Sequence, residues 1–497
     1  MRAFRDPVAF LRGIPERVGL ALVVALGAVL RLWDLGYPHK LVFDETYYVK
    51  DAYTLSKLGY EGSWPDQPNP AFEAGQVDTF LTAPSYVVHP PLGKWIISIG
   101  MNLFGAQNSF GWRFSVALLG IASIAILFFV AKRVLGSGRW ALVAAFLLAI
   151  DGHAIVLSRT ALLDGILAFF ALLGFYFLLR DRDESYLQIW RRPWLIAMAV
   201  TLGAATAVKW SGLYFLAAFL LYVLASDLLR WRKIRLSAQS HISLGNVSGE
   251  AIKRRAALFT VSVPLALLTY LASWSGWLST SGGYYRDYVT EPDEVPAWLS
   301  WLGQPLLALW HYHRQAYSFH IGLHSSHPYS ANPLGWLVLL RPTSFFYEGS
   351  AEGQAGCVFA GGCSSAITAI GNPLIWLAAA VATVLVARHW IQTRDRQTAL
   401  ILLGLAAGYL PWMMYLNRTT FAFYSVAFLP WTILALVWIL RQRVATRDAA
   451  DQPRSRSRIL AYLLMCLAFS FFFLPIWIGT SIPYWFWLIH MWSPSWI

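Results

Sequence analysis

The stretch "LVFDETYYVKDA", beginning at Leu41, sets two carboxylates side by side, Asp44 and Glu45, just beyond the first apolar run of the chain. A carboxylate held against a hydroxyl takes its proton as the oxygen attacks an electrophile. Near a bilayer the same group is costly unless it is paired, solvated or used. Neighbouring side chains point about 100° apart on a helix and to opposite sides on a strand. At most one of the pair therefore faces a given reacting atom, and the other supports it. The same letters also read as a helix start with Asp44 as its N-cap. This stretch alone leaves both readings open.

Cations stand at the same level. "VVHPPLGKW" carries His89 and Lys94, and "FGWRFSVALLG" carries Arg113 at a helix start. Arg31, Arg159 in "LSRTALLDGILAFF", Lys209 in "AVKWSG", Arg341 in "LLRPTSFF" and Arg418 in "LNRTTFAFY" also fall at apolar edges. Such side chains can snorkel to the interface. They can equally bind the phosphate of a lipid-linked molecule, to which Arg offers a fork of donors and Lys a compact charge. Asp164 follows Arg159 closely enough to pair with it. Further along, His311, His313, His320, His324 and His327 crowd one segment. Neither Cys nor carboxylate stands among them at ligand spacing, so a wall of a sugar or peptide cleft is a more economical reading than a metal site. No metal is expected. Cys357 and Cys363 in "GCVFAGGCSS" match no zinc pattern and form a possible disulfide, while Cys466 lies in an apolar run.

The elements that must hold these groups are membrane helices. Of 497 residues, 57% are hydrophobic and only 13% charged, whereas a soluble chain is about a quarter charged. Apolar runs of about 20 residues cross about 30 Å of hydrocarbon as helices. Hydropathy places spans at 18–33, 112–131, 140–157, 162–179, 194–208, 212–229, 256–277, 371–387, 398–416, 420–440 and 459–480. The fold class is an all-α polytopic membrane protein with about eleven spans. Every second connection is basic, and these hold most of the 39 Lys and Arg. Positive residues stay on the cytoplasmic side, which puts the N-terminus inside and the C-terminus outside. The net charge of +13 thus orients the chain and implies no nucleic acid. The first span lacks a convincing cleavage site and reads as an uncleaved anchor. Two outer loops are large, at 34–111 and 278–370, and a four-helix part follows over 371–497; the whole of 1–497 reads as one membrane-embedded unit. "PLGKWIISIGMNLFG" suits a helix lying on the membrane surface. No internal repeat supports a transporter of inverted halves.

In combination, "RLWDLGYPHKLVFDETYYVKDA", "HPPLGKW", "RFSVALLG", "LSRTALLDGILAFF", "AVKWSG", "HSSHPYSANPLGWLVLLRP" and "NRTTFAFYSVAFLPW" resemble the protein O-mannosyltransferase family, in its actinobacterial form. The resemblance runs along nearly the whole chain. It implies the GT-C glycosyltransferase fold and a location in the cell membrane, with the active site outside. It also implies transfer of mannose from polyprenyl-phosphate-mannose to Ser or Thr of secretory polypeptides. The family's acidic pair falls on Asp44 and Glu45, and its arginines on Arg31 and Arg113. His327, Tyr329 and Tyr424 lie in matching motifs as supporting residues. The loop at 278–370 is too short for the MIR repeats of eukaryotic relatives, so acceptor recognition by that domain does not carry over. On this reading Asp44 is the base and Glu45 orients the loop or the acceptor. The cations stabilise the leaving phosphate, and inversion by single displacement follows from the family. No cofactor is expected, and the Sec translocon is a plausible partner for an external site. The rival readings are a GT-C enzyme moving arabinose or aminoarabinose, a transporter coupled through Asp44 and Arg113, and a membrane scaffold.

Overall fold

The computed structural model describes residues 15–184, 191–237, 244–289, 296, 298, 300–447 and 451–497. The basic stretch 1–14, the parts of basic connections at 185–190, 238–243 and 448–450, and residues 290–295, 297 and 299 of the second large loop lie outside the described residues.

The first half of the chain runs α1 (Glu16–Leu32), α2 (Glu45–Leu58), α3 (Leu92–Phe104), α4 (Ser109–Leu135), α5 (Gly138–Ile150), α6 (Gly152–Arg159), α7 (Leu163–Glu184), α8 (Pro193–Val208), α9 (Gly212–Ser237) and α10 (Leu244–Ser273). The second half runs α11 (Gln304–Ile321), β1 (Thr343–Ser350), β2 (Cys363–Ala369), α12 (Pro373–Thr393), α13 (Arg396–Tyr409), α14 (Leu429–Ala445), α15 (Gln452–Phe473) and β3 (Ile482–Pro483), with short helical turns between. The ends obey local chemistry. Asn108 accepts the Phe110 N–H ahead of α4, and Gly136, at φ 66°, closes that helix in the left-handed region open to glycine. Asn372 and Pro373 start α12 in the same spirit, with the Asn372 side chain accepting from Leu374 and Ile375.

Among the described residues, α4, α7, α9, α10, α12, α13 and α15 contain stretches long and apolar enough to cross a membrane, seven in all. The pair α5 and α6, bent by 58° at Asp151, makes an eighth if counted as one span. The expected spans at 18–33, 194–208 and 420–440 correspond to the shorter helices α1, α8 and α14. The chain is a multi-pass membrane protein. Helix α4 is the hub, with α1, α3, α5, α6 and α7 packed on it, while α8 lies between α7 and α10. Helix α3, in the first large loop, leaves Ile99, Leu103 and Phe104 exposed on an otherwise packed segment.

The described residues depart from an all-helical chain in a three-stranded antiparallel sheet of order β1-β2-β3 and in an isolated antiparallel bridge between Gly62 and Pro84. Strands β1 and β2 pair from Thr343↔Ala369 to Ser350↔Cys363, with a bulge between Ser344 and Phe346. Cys357 and Cys363 are joined by a disulfide that closes the loop between the strands. Cys466 is buried and free.

Candidate active site

The two adjacent carboxylates have opposite surroundings. Glu45 is fully buried. Its Oε1 accepts from Arg113 Nε and from the Ala161 N–H, both at 2.8 Å. Its Oε2 accepts from Arg113 Nη2 at 2.8 Å and from the Val42 N–H at 3.0 Å. Arg113 gives its other donors to the carbonyls of Leu35, Pro38 and Lys40 at 3.2, 3.0 and 2.9 Å. This pair therefore ties the loop before α2 to α4 and to the turn after α6.

Asp44 occupies the N-cap position of α2, yet its side chain caps nothing. Among the described residues its one side-chain hydrogen-bond partner is the Tyr48 hydroxyl, which donates to Oδ2 at 3.5 Å. Burial pushes the carboxyl up to about 6, with the charge of Lys209 opposing and that of Asp164 adding to the rise. The preceding residue, Phe43, has φ 50°, a left-handed conformation rare for an aromatic side chain. Its ring is gripped to compensate, stacked on Phe345 at 4.9 Å and edge-on to Phe421, Phe423 and His327. The backbone turn that presents Asp44 is thus held by an aromatic box.

A cavity of about 510 Å³ is lined by Lys209, whose charge acts on Asp44, although Asp44 itself is not among the lining residues. Lys209, at the C-terminal end of α8, lines it and lies 2.9 and 3.1 Å from the oxygens of Asp164, in the first turn of α7. The ammonium also sits 4.4 Å from the centre of the Tyr424 ring. Both charges suit the helix ends that carry them. Arg418 lines the cavity too, and its Nε donates to the His320 carbonyl at 2.8 Å. His89 and His320 stack at 5.2 Å, and burial holds both below the ordinary histidine range, His320 at about 4. They are neutral at pH 7, so the fixed cations of this wall are Lys209 and Arg418. Leu213 and Leu216 of α9 and Val263, Ala266 and Leu267 of α10 add apolar lining to the same cavity. Two cations and an apolar flank can accommodate an anionic headgroup with a hydrocarbon tail, and Lys209 links this cavity electrostatically to the Asp44 carboxylate.

Comparison with known proteins matches residues 21–278 to the family described as dolichyl-phosphate-mannose-protein mannosyltransferase. Residues 306–496 match the C-terminal four-transmembrane region of protein-O-mannosyltransferase. The polyprenol-phosphate-mannose–protein mannosyltransferase of Mycobacterium tuberculosis is 30% identical, over 96% of this chain and 91% of that protein. The chain belongs to the protein O-mannosyltransferase family. A second relative of the same name, from Corynebacterium glutamicum, is 29% identical over 92% of this chain and 88% of its own. The protein O-mannosyltransferase Pmt1–Pmt2 complex of S. cerevisiae, solved with its sugar donor, superposes with a TM-score of 0.73 at 14% identity, covering 99% of this chain and 95% of that one. This mannosyltransferase-family chain shares the GT-C fold.

Within this family member, several cations singled out in the sequence serve the protein itself. Arg31 donates to Gly27, Ala149, Leu148 and Ser158, joining α1 to the bend after α5. Arg159 donates to the carbonyls of Leu30, Arg31, Trp33 and Asp34 at the end of α1. The expected Arg159–Asp164 pair is replaced by Lys209–Asp164, because Arg159 is taken up by those orphan helix-end carbonyls. Lys94 is buried against Glu61 and donates to the His89 carbonyl at 3.2 Å. Arg341 bonds Pro328 and Ser495 carbonyls and lies 5.6 Å from the Tyr329 ring. His327 accepts the Tyr329 N–H and packs its edge on Phe421, so both support the aromatic box rather than the cavity. Of the singled-out residues, His89, Lys209, His313, His320, Arg418 and Tyr424 line the cavity. Sequence reasoning passed over Tyr48, whose signal was its place one helical turn after Asp44. It also passed over Trp210, Tyr270 and Trp412, which line the cavity and carry no distinctive spacing. Among the described residues no group of three or more His, Cys, Asp or Glu is placed to hold a metal.

Proposed function

We propose that this chain moves mannose from polyprenyl-phosphate-mannose to Ser or Thr hydroxyls of polypeptides, on the extracytoplasmic face of the cell membrane. Family membership and the two named relatives support the activity, and the basic alternate connections support the orientation. The observation that carries the mechanism is the uncommitted carboxylate of Asp44, which caps no helix and stands within electrostatic reach of Lys209.

The acceptor hydroxyl gives its proton to Asp44 while its oxygen attacks the anomeric carbon. The bond from that carbon to the phosphate oxygen breaks, and the phosphate leaves with the electron pair. Lys209 and Arg418 stabilise the charge that grows on it; one such preorganised interaction is commonly worth about 3–4 kcal/mol in the transition state. A phosphate leaves without a protonated acid, so a second catalytic carboxylate is not required, and Glu45 is a positioning residue. Attack opposite the leaving group inverts the anomeric centre. The carrier's tail lies along the apolar flank of α9 and α10, which fixes the phosphate at headgroup depth. Polypeptide emerging from the translocon would meet the site before folding. The reading assigns no cofactor.

The deciding experiment follows labelled mannose from polyprenyl-phosphate-mannose to a Ser/Thr peptide, in membranes holding wild type or Asp44→Asn. Transfer by wild type that Asp44→Asn abolishes at equal protein level bears the reading out. Transfer by both removes Asp44 as base. No transfer with intact donor redirects attention to lipid-linked arabinose or aminoarabinose.

A further inference from the structure

A sheet this small has two edges, and one of them is open. Strand β3 is two residues long and covers only Cys363 and Ser364 of β2. Strand β1 has eight residues, and among the described residues no strand pairs with its other side. Its last residues are exposed, with Tyr347 at 46%. An unpaired edge presents a row of N–H and C=O groups that will pair with any extended chain. Here nothing blunts it with a proline, and its two exposed ring-bearing and acidic residues are already engaged, Tyr347 with Trp487 and Ser364, and Glu348 with Lys40.

The position of this edge relative to the base gives it meaning. Phe345 stacks on Phe43 at 4.9 Å, and Glu348 pairs with Lys40. The segment 40–43 therefore runs antiparallel along β1 and ends at Asp44. Its main-chain groups bond elsewhere than to β1: the Leu41 N–H donates to Glu73 Oε1, the Val42 N–H donates to Glu45, and the Lys40 carbonyl accepts from Arg113. The proposed substrate is a polypeptide whose hydroxyl must be brought to that base.

We propose that the open edge of β1 binds the acceptor polypeptide as an added antiparallel or parallel strand, through main-chain hydrogen bonds, and so delivers a Ser or Thr to Asp44. This deepens the proposed function and rests on it. Strand addition reads the backbone, so it accepts many sequences; it also requires an extended, unfolded acceptor. Because alternate amides of a strand point toward and away from the partner, the acceptor's N–H groups divide into two sets of period two.

The test uses the intact protein in membranes and a peptide with one Thr among Ala and Val residues. A backbone N-methyl group is moved one residue at a time along both flanks. Pairing on β1 raises KM on the order of tenfold at alternate positions, where a hydrogen bond is lost and a methyl intrudes, and leaves the positions between within about twofold. A flat response, or one confined to the two neighbours of Thr, overturns the pairing while the activity stands; the edge would then belong to a second copy of this chain or to no partner. An unmethylated peptide that takes no mannose overturns the activity and the pairing together.

Discussion

Arg113 grips both oxygens of Glu45, its Nε 2.8 Å from Oε1 and its Nη2 2.8 Å from Oε2. The two side chains are almost wholly buried, at 1% and 0% exposure. Removing one partner of such a pair strands a charge and costs about 3–5 kcal/mol. Glu45→Ala and Arg113→Ala should each lower the melting temperature sharply in detergent. The double variant should cost less than the sum, since neither charge is then stranded. Arg113→Lys should fare little better than alanine, because one ammonium cannot span two oxygens and three carbonyls.

Asp44 should behave in the opposite way. Its carboxylate makes a single long contact with Tyr48 and holds no helix end. Burial disfavours its charged form, so Asp44→Asn removes that cost and should leave the melting temperature at or above that of wild type. Mannose transfer should fall by about 10²- to 10⁴-fold, the usual worth of a general base. Equal loss of stability and activity would make Asp44 a structural residue.

The pH profile follows from the same carboxyl. Burial raises it to about 6, so the proton-accepting form is lost as pH falls through that value. The rate constant kcat/KM should climb with unit slope below it and level off above about pH 7, with roughly a tenth of the plateau left at about pH 5. Burial holds His320 at about 4 and His89 below the ordinary histidine range, so neither is expected to titrate together with Asp44. A profile centred near 4 would mean that Asp44 is solvated or is not the base.

Much of this was legible in the letters, and the remainder shows where sequence runs out. The membrane class and the acidic pair follow from composition, long apolar runs and one dipeptide. The division of labour within that dipeptide does not, because it depends on Arg113 and the Ala161 N–H, remote in the chain and adjacent only in the fold. The arginines show the same limit. A cation at an apolar edge reads alike whether it awaits a phosphate or, as with Arg31 and Arg159, satisfies carbonyls at the broken ends of α5 and α1. The sheet was hidden for another reason. Its strands lie in a loop rich in glycine and aromatic residues, with no clean alternation, and β2 is buried on both faces.

Lys209 and Asp164 offer the sharpest separation of structure from chemistry. The ammonium lies 2.9 Å from one oxygen of the carboxylate and 3.1 Å from the other, with both side chains nearly buried. Lys209→Met strands the carboxylate, so about 3–5 kcal/mol of stability should be lost along with transfer. Those two losses cannot be told apart in that variant alone. In Lys209→Met/Asp164→Asn no charge is stranded, and the melting temperature should return most of the way to wild type. On the proposed mechanism transfer should not return, because the cation assigned to the leaving phosphate is still missing; a deficit of at least about 10²-fold is expected from the loss of one preorganised charge. Melting curves and labelled-mannose transfer on the same preparations settle the matter. If the double variant regains both, Lys209 serves only to neutralise Asp164, and Arg418 is left as the phosphate's cation in this wall.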